Sequence, residues 1–368
     1  MNKVFIGLMT GTSADSLDLA AVCFSATDFQ VIGLKNYEIP NQIKIQVLEN
    51  TRSKELDQSS IQELDINLSK FLADSIQEFI ISLSLDNDQI GAIGSHGQTI
   101  KHEPNAELPY SLQIGNPQLI SNKLKIKTIG NFRDNDIEAG GQGAPLSPIF
   151  HKEVFASENE ERIIINIGGI TNISVVGSSN LIGFDTGPGN CLIDAWTRLN
   201  KKSNYDDKGN WAKSGKINQD LLAIMISDDY FSLQYPKSTG PDYFSLNWIS
   251  NCLSKVGYKI EAIDIQTTLT ELTALSLARS IEKLKLLNNE IYLCGGGVHN
   301  DYLLSRISYR LEKSLSTTAE LGIDPDYLEA ICFAWLAYKR VNDVRFNMTE
   351  ITGSKGEVYL GKIYNPIK

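Results

Sequence analysis

One motif, met twice, constrains this chain more than anything else in it. Residues 3–8 (KVFIGL) and 17–24 (LDLAAVCF) are apolar and rich in β-branched residues, so they read as strands. The turn between them carries Gly11, Thr12, Ser13 and Asp15. Residues 162–167 (RIIINI) and 171–176 (TNISVV) repeat the form around Gly168-Gly169. Further strands are expected at about 29–34 and 180–184, and each hairpin leads into helical segments. From 57 to 84 the period is helical: Ile61, Leu64, Leu68, Phe71, Leu72, Ile76, Phe79 and Ile80, with Asp57, Ser59 and Ser60 as candidate caps. Helices are also expected at about 217–227, 243–256, 267–287, 300–315 and 325–342, and strands at 90–95, 290–294 and 357–364. The expected architecture is α/β, in two halves with a ligand between them. A chain of 368 residues suits two domains. The stretch 130–148, with four Gly and two Pro, is a plausible junction. It gives an N-terminal domain of 1–131, with room for part of the C-terminal segment, and a C-terminal domain of 132–368.

Charge narrows the partners. Net charge is −10, which argues against nucleic acid or an anionic membrane surface, since both need basic stripes. A small anion is still permitted, because backbone N–H groups bind phosphate without Lys or Arg. Cys23, Cys191, Cys252, Cys294 and Cys332 are odd in number and widely spaced, against a disulfide framework or zinc site. The four histidines form no ligand pair. No stretch has the length of a membrane span, and the N-terminus reads as a strand rather than a leader. A soluble cytoplasmic protein is expected.

The glycine-rich turns suggest what is bound. Gly11, Thr12 and Ser13 could cradle a phosphate, with Asp15 and Asp18 placed to hold magnesium directly or through water. An ordinary solvated hairpin turn is an equal reading. Gly168, Gly169, Thr171 and Asn172 offer a second cradle. Gly295, Gly296 and Gly297 follow a buried strand and suit close approach to a nucleobase, or simply a turn needing positive φ. No GxGxxG follows a strand at the right place. Gly209 to Lys216 fails as a Walker A, with five residues between its glycines and Ile217 where a hydroxyl belongs. In 183-GFDTGPGN-190, Asp185 follows a strand and enters a Pro-stiffened loop. It is either a positioned general base or an Asx-turn residue.

The three turns, in this order, resemble the phosphate-1, phosphate-2 and adenosine elements of the actin/Hsp70/hexokinase superfamily. More narrowly, the chain resembles the anhydro-N-acetylmuramic acid kinases. The resemblance rests on GLMTGTSADSLDLA (7–20), GSHGQTIKHEP (94–104), LQIGNP (112–117), FRDNDIEAGGQGAPLSPIFH (132–151), INIGGITNIS (165–174), GFDTGPGNCLIDAW (183–196), YLCGGGVHN (292–300) and GIDPDYLEAICFAWLA (322–337). It implies a two-domain actin-like ATPase (ribonuclease H-like) fold with the active site in the inter-domain cleft. It implies ATP, Mg²⁺ and an amino-sugar substrate, a homodimer, and a role in peptidoglycan recycling. The reaction it implies opens the 1,6-anhydro ring with water and phosphorylates O6. Asp185 matches the catalytic base, and Glu329 a carboxylate near the sugar. Thr186, Gly187, Asn190, His96, Arg133 and Gln142 are the other sugar-side candidates. A packed histidine and a salt bridge from Arg133 to Asp134 or Asp136 compete with two of these roles. A hydrolase or a catalytically weakened binding protein of the same fold are the alternatives. Three departures stand out: Ser16 for a usual Gly, Asn131 for a frequent Asp, and Asn166 where many superfamily members have Asp. Ser resists positive φ, so a left-handed requirement at 16 would weaken ATP binding.

Overall fold

A computed structural model describes residues 3–367 apart from 12, 26, 27, 54, 105, 159 and 179. Thr12, one of the candidate phosphate ligands, thus lies outside the described residues. The chain forms two compact units, Met1–Phe150 with Tyr327–Lys368, and His151–Asp326. These boundaries differ from the division at 131/132. The chain returns to the first unit because the Lys362–Tyr364 strand pairs antiparallel with Thr128–Gly130, and the Leu328–Val341 helix packs on Val4–Thr10 and Ile90–Ser95. Residues 132–150 stay with that unit too, with Asn135 donating to the Tyr359 carbonyl at 3.0 Å.

The repeated hairpin is the seed of both sheets. In the first unit the six strands run Lys362–Tyr364, Thr128–Gly130, Ile90–Ser95, Val4–Thr10, Ser16–Phe24, Phe29–Glu38. In the second the five strands run Leu181–Pro188, Ile170–Val176, Arg162–Ile167, Glu290–Cys294, Ser316–Thr317. Leaving aside the terminal strand, each sheet has the order third, second, first, fourth, fifth. In each, the first three strands are antiparallel neighbours and the first pairs parallel with the fourth. This recurrence is the duplication of form that the sequence suggests, and it is the order of the actin-like, ribonuclease H-like class.

The first sheet is covered on both faces, and its alternation shows how. Val4, Ile6 and Leu8 join Leu64, Leu68, Leu72, Ile76 and Phe79 of the Gln58–Ser82 helix in one core. Each such side chain taken from water contributes about 1.5–3 kcal/mol. Asp57 caps that helix, accepting from the Ser60 N–H at 3.0 Å. The intervening Phe5 points to the other face, where its ring meets Tyr338 of the Leu328–Val341 helix at 5.3 Å. Gly7 and Gly94 are register partners on that face. A Cβ on Gly7 would strike the backbone of Ala330 and Ala334, and one on Gly94 that of Phe333. The two glycines are therefore the floor on which this helix lies. In the second unit Ile163, Ile165, Ile167, Ile173 and Val175 pack with Ala274, Leu277 and Ile281 of the Ala262–Leu284 helix and Leu303 and Ile307 of the Asp301–Leu311 helix.

Several elements carry no matching period in the sequence. In the Asn41–Arg52 helix Ile43, Ile45 and Val47 alternate like a strand, yet the buried pair is Ile43 and Val47, four apart, while Ile45 is 49% exposed. The Gln98–Glu103/Tyr110–Ile114 hairpin and the Asp134–Glu138 turn of helix inside the Gly-rich stretch are others. The expected strand at 357–364 is two pieces, Glu357–Val358 and Lys362–Tyr364, parted by Gly361 at φ +92°.

Candidate active site

In the second unit the polar residues of three neighbouring strands fall into one row. Asn166 stands opposite Asn172, and Asn172 opposite Asp185. Directly opposed residues share a face, so the three side chains line one end of the sheet. Asp185 lies inside the Leu181–Pro188 strand rather than in a loop after it. The register slips between Asp185 and Gly187, leaving Thr186 as the extra residue of a bulge. Thr186 turns away and donates to the Thr171 carbonyl at 3.1 Å, which is a structural task. Gly187 has φ +150°, and a Cβ there would meet the Phe231 ring.

Asp185 is 5% exposed and held on three sides. Its Oδ2 accepts from the Thr239 N–H at 3.0 Å. Its own N–H donates to the Lys237 carbonyl at 3.1 Å, and its carbonyl accepts from the Tyr230 hydroxyl at 2.7 Å. A bulge shapes the backbone here. The residues 237–239 carry no periodic signal; only the Pro-Lys-Ser-Thr-Gly run at 236–240 marks a stiffened polar turn.

The glycine turns of this unit converge on the same end. The Gly168 and Gly169 carbonyls accept the N–H groups of Asn190 at 2.9 Å and of Gly189 and Cys191 at 2.8 and 3.0 Å, seating the Asn190–Lys201 helix. The Asn190 amide donates to the Ile167 carbonyl at 3.4 Å. Gly295, at φ +79°, packs so closely on the first strand that a Cβ would strike Asn166 Oδ1, and Gly297 is similarly pressed on Ile167. Gly296 is exposed, with open space where its side chain would be. Among the described residues, Asn166 Oδ1, Asn172 Oδ1 and Thr171 Oγ1 are buried without hydrogen-bond partners. A buried polar atom left unpaired costs about 1–3 kcal/mol, so the Asn166 and Asn172 oxygens, which share one face of the sheet, suit a polar ligand such as phosphate or its water shell.

The first turn looks different. Gly11 and Ser13 are half-buried, and the Gly11 carbonyl accepts from the Ala14 N–H at 3.0 Å. Asp15 is ion-paired with Lys44, and Asp18 accepts from the Asn36 amide at 2.6 Å. Among the described residues no group of three His, Cys, Asp or Glu could hold a metal. The Asp15 carboxylate is occupied by its ion pair with Lys44. The left-handed residue is Ala14, at φ +49°, while Ser16 begins a strand paired with Glu38. The Ser16 substitution thus meets no backbone conflict. Ser16→Gly is expected to leave the KM for ATP within about twofold of wild type; a clear drop in KM for the glycine variant would contradict this. Asn131 does sit at φ +53°, which asparagine tolerates, and its amide donates to Asp134 at 3.0 Å.

His96, Arg133, Gln142 and Glu329 come together in the first unit. The His96–Gly97 loop lies beside the first turn, with Thr10 donating to the Gly97 carbonyl at 3.0 Å. His96 is 5% exposed, and burial, then the Arg133 charge, lowers its pKa to about 3. The ring is neutral, so Nδ1–H donates to the Gly97 carbonyl at 2.8 Å and Nε2 accepts from the Arg133 guanidinium at 2.9 Å. Both nitrogens are engaged inside this unit. Arg133 also donates to the Gly143 carbonyl at 3.1 Å. Asp134 instead pairs with Lys362 at 2.9 Å, and Asp136 accepts from the Gly143 N–H and the Thr352 hydroxyl, both at 2.7 Å. The Gln142 N–H donates to the Thr352 carbonyl at 2.9 Å. Glu329, half-buried, lies one turn before Phe333, whose ring meets His96 at 4.7 Å.

The chain is similar to known proteins along nearly its whole length. A family profile described as anhydro-N-acetylmuramic acid kinase matches residues 3–366. The Pasteurella multocida (strain Pm70) protein named anhydro-N-acetylmuramic acid kinase is 42% identical over 363 residues, 98% of this chain and 96% of its own. The Saccharophagus degradans protein of the same name is 41% identical over 369 residues, 99% of each chain. Among solved structures, component A of the Acidaminococcus fermentans (R)-2-hydroxyglutaryl-CoA dehydratase superposes with a TM-score of 0.48 at 11% identity, covering 92% of this chain and 99% of its own. The activator of the Clostridium difficile 2-hydroxyisocaproyl-CoA dehydratase, with bound ADPNP, gives 0.47 at 9% identity, covering 92% and 96%. Matched along nearly its whole length, the chain belongs to the anhydro-N-acetylmuramic acid kinase family and is a phosphoryl-transferring enzyme.

Proposed function

We propose that the protein uses ATP and water to open the bridge of 1,6-anhydro-N-acetylmuramic acid and phosphorylate O6, giving N-acetylmuramic acid 6-phosphate and ADP in cytoplasmic peptidoglycan recycling. The observation that carries this reading is the buried Asp185, aimed by the Thr239 N–H at the end of a row whose other oxygens have no protein partner. A carboxylate in that setting can take a proton. Water loses a proton to Asp185 as its oxygen bonds the anomeric carbon. The C1–O6 bond breaks, and O6 attacks the γ-phosphorus as the bond to the β-phosphate oxygen breaks. Phosphoryl transfer itself asks mainly for positioning and charge neutralisation. Asn166, Thr171, Asn172 and the backbone of 168–169 and 295–297 are the proposed nucleotide contacts in the second unit, and Gly11 and Ser13 those in the first. His96, Arg133, Gln142, Gly187, Asn190 and Glu329 are the proposed sugar side, with the Arg133 guanidinium, steadied by His96, suited to the lactyl carboxylate. Because Asp15 is paired with Lys44, no step is assigned to a protein-bound magnesium. Phosphate oxygens are its natural ligands.

Incubation with the anhydro-sugar, Mg-ATP and ¹⁸O-water tests the reading. ADP and 6-phosphorylated sugar are expected one-for-one, with label on the anomeric oxygen. ADP without phosphosugar would instead indicate a hydrolase, and absence of turnover a binding protein.

A further inference from the structure

The residues that hold Asp185 include a buried lysine that the proposed reaction does not use. Lys237 is 6% exposed. Its Nζ donates to the Tyr230 carbonyl at 3.1 Å and lies 4.4 Å from the centre of the Tyr230 ring. The same tyrosine's hydroxyl grips the Asp185 carbonyl, and the chain on either side of Ser238 grips the rest of Asp185. The Lys237 carbonyl takes its N–H, and the Thr239 N–H takes its carboxylate. One short strap and one tyrosine thus bind both ends of the residue, and the Lys237 ammonium is anchored on that tyrosine. We propose that Lys237 is a positioning residue: its buried ammonium pins the 237–239 strap to Tyr230 and supplies the positive charge that keeps the Asp185 carboxylate ionised and aimed.

The physical need is plain. A carboxylate taken out of water loses its hydration and is the costlier to keep charged. A cation in the same low-dielectric setting compensates, because charges interact more strongly there than in water. The charged and titratable groups acting on Lys237 are Asp185, Tyr230 and Lys283. Lys283, from the Ala262–Leu284 helix, donates to the Phe231 carbonyl at 3.0 Å. Burial, and then the Lys283 charge, lowers the Lys237 pKa to about 8, while Asp185 pulls it upward. The ammonium is therefore charged at neutral pH and lost as pH rises through that value. If it only filled space over the Tyr230 ring, its protonation would not matter.

This inference rests on Asp185 being the base. The test is the pH dependence of kcat on the anhydro-sugar and ATP, for the wild-type full chain, Lys237→Met and Lys237→Arg. Wild type is expected to lose activity on the alkaline side near the Lys237 pKa of about 8. Lys237→Met, of similar bulk, is expected to lose about 10- to 100-fold in kcat at neutral pH with the KM for ATP within about twofold. Its acid limb should move to higher pH, because a carboxylate without its cation is easier to protonate. Lys237→Arg should recover most of the rate and carry the alkaline limb upward, since a guanidinium does not titrate there. A folded Lys237→Met with wild-type kcat or an unmoved acid limb overturns the proposal. Should the methionine variant not fold, wild type and Lys237→Arg decide: coincident alkaline limbs overturn the proposal, a displaced limb supports it. An inactive wild type would overturn the reaction itself and remove the premise with it.

Discussion

Asp185→Asn is expected to lose turnover by about 10³-fold or more while binding ATP as wild type does. The substitution conserves shape. The Thr239 N–H can still donate to the side-chain oxygen, and the Tyr230 and Lys237 bonds go to the backbone of residue 185, so the strand and its bulge persist. An amide oxygen, however, does not take up the proton that water must lose. The loss therefore falls on the chemical step rather than on ground-state binding. Steady-state rates with the anhydro-sugar, alongside calorimetric titration with ATP, separate the two. A variant within tenfold of wild-type kcat would remove Asp185 from the role of base. Equal losses in ATP affinity and rate would make it a nucleotide ligand instead.

The largest stability effect is expected at Gly7. The Leu328–Val341 helix presents Ala330, Ala334 and Ala337 at helical spacing to the sheet, and opposite them Gly7 and Gly94 leave no side chain. Two small surfaces let the backbones approach closely. Gly7→Val puts a branched side chain where the Ala330 carbonyl and Ala334 N–H stand, and neither atom can swing aside as a side chain would. The helix must lift from the sheet, uncovering Phe5 and Tyr338 and shifting Glu329. A loss of about 4 kcal/mol or more, or insoluble protein, is expected. Urea denaturation reads it directly, and a shift corresponding to under about 1 kcal/mol would show that the close approach is not needed.

What could be read from the chain follows the reach of each signal. The Gly-turn hairpins at 3–24 and 162–176 announced two matching sheets, because strand alternation and turn chemistry are written within a dozen residues. The Asp57 cap and the long helix after it were legible for the same reason. The Asn41–Arg52 helix was not, since its β-branched residues alternate while packing at a spacing of four. The Asn190–Lys201 helix does carry a helical period, in Leu192, Trp196 and Leu199, but its start is set by the Gly168 and Gly169 carbonyls of a distant turn. At the site, the sequence singled out Asp185, Asn172, His96 and Arg133 as residue types suited to the chemistry. It could not show that His96 faces Arg133, or that Asp15 faces Lys44.

The sequence by itself determined the α/β class, the doubled hairpin and the family. Only the tertiary structure decided which unit the last 42 residues join, that Ser16 lies in a strand while Ala14 takes the left-handed position, and that Lys237 and Thr239 hold Asp185. The reason is physical. Period, turn residues and motif spacing are local properties of the chain, whereas sheet pairing across more than 200 residues and the partner of a buried charge are settled by packing and desolvation, which no single segment encodes.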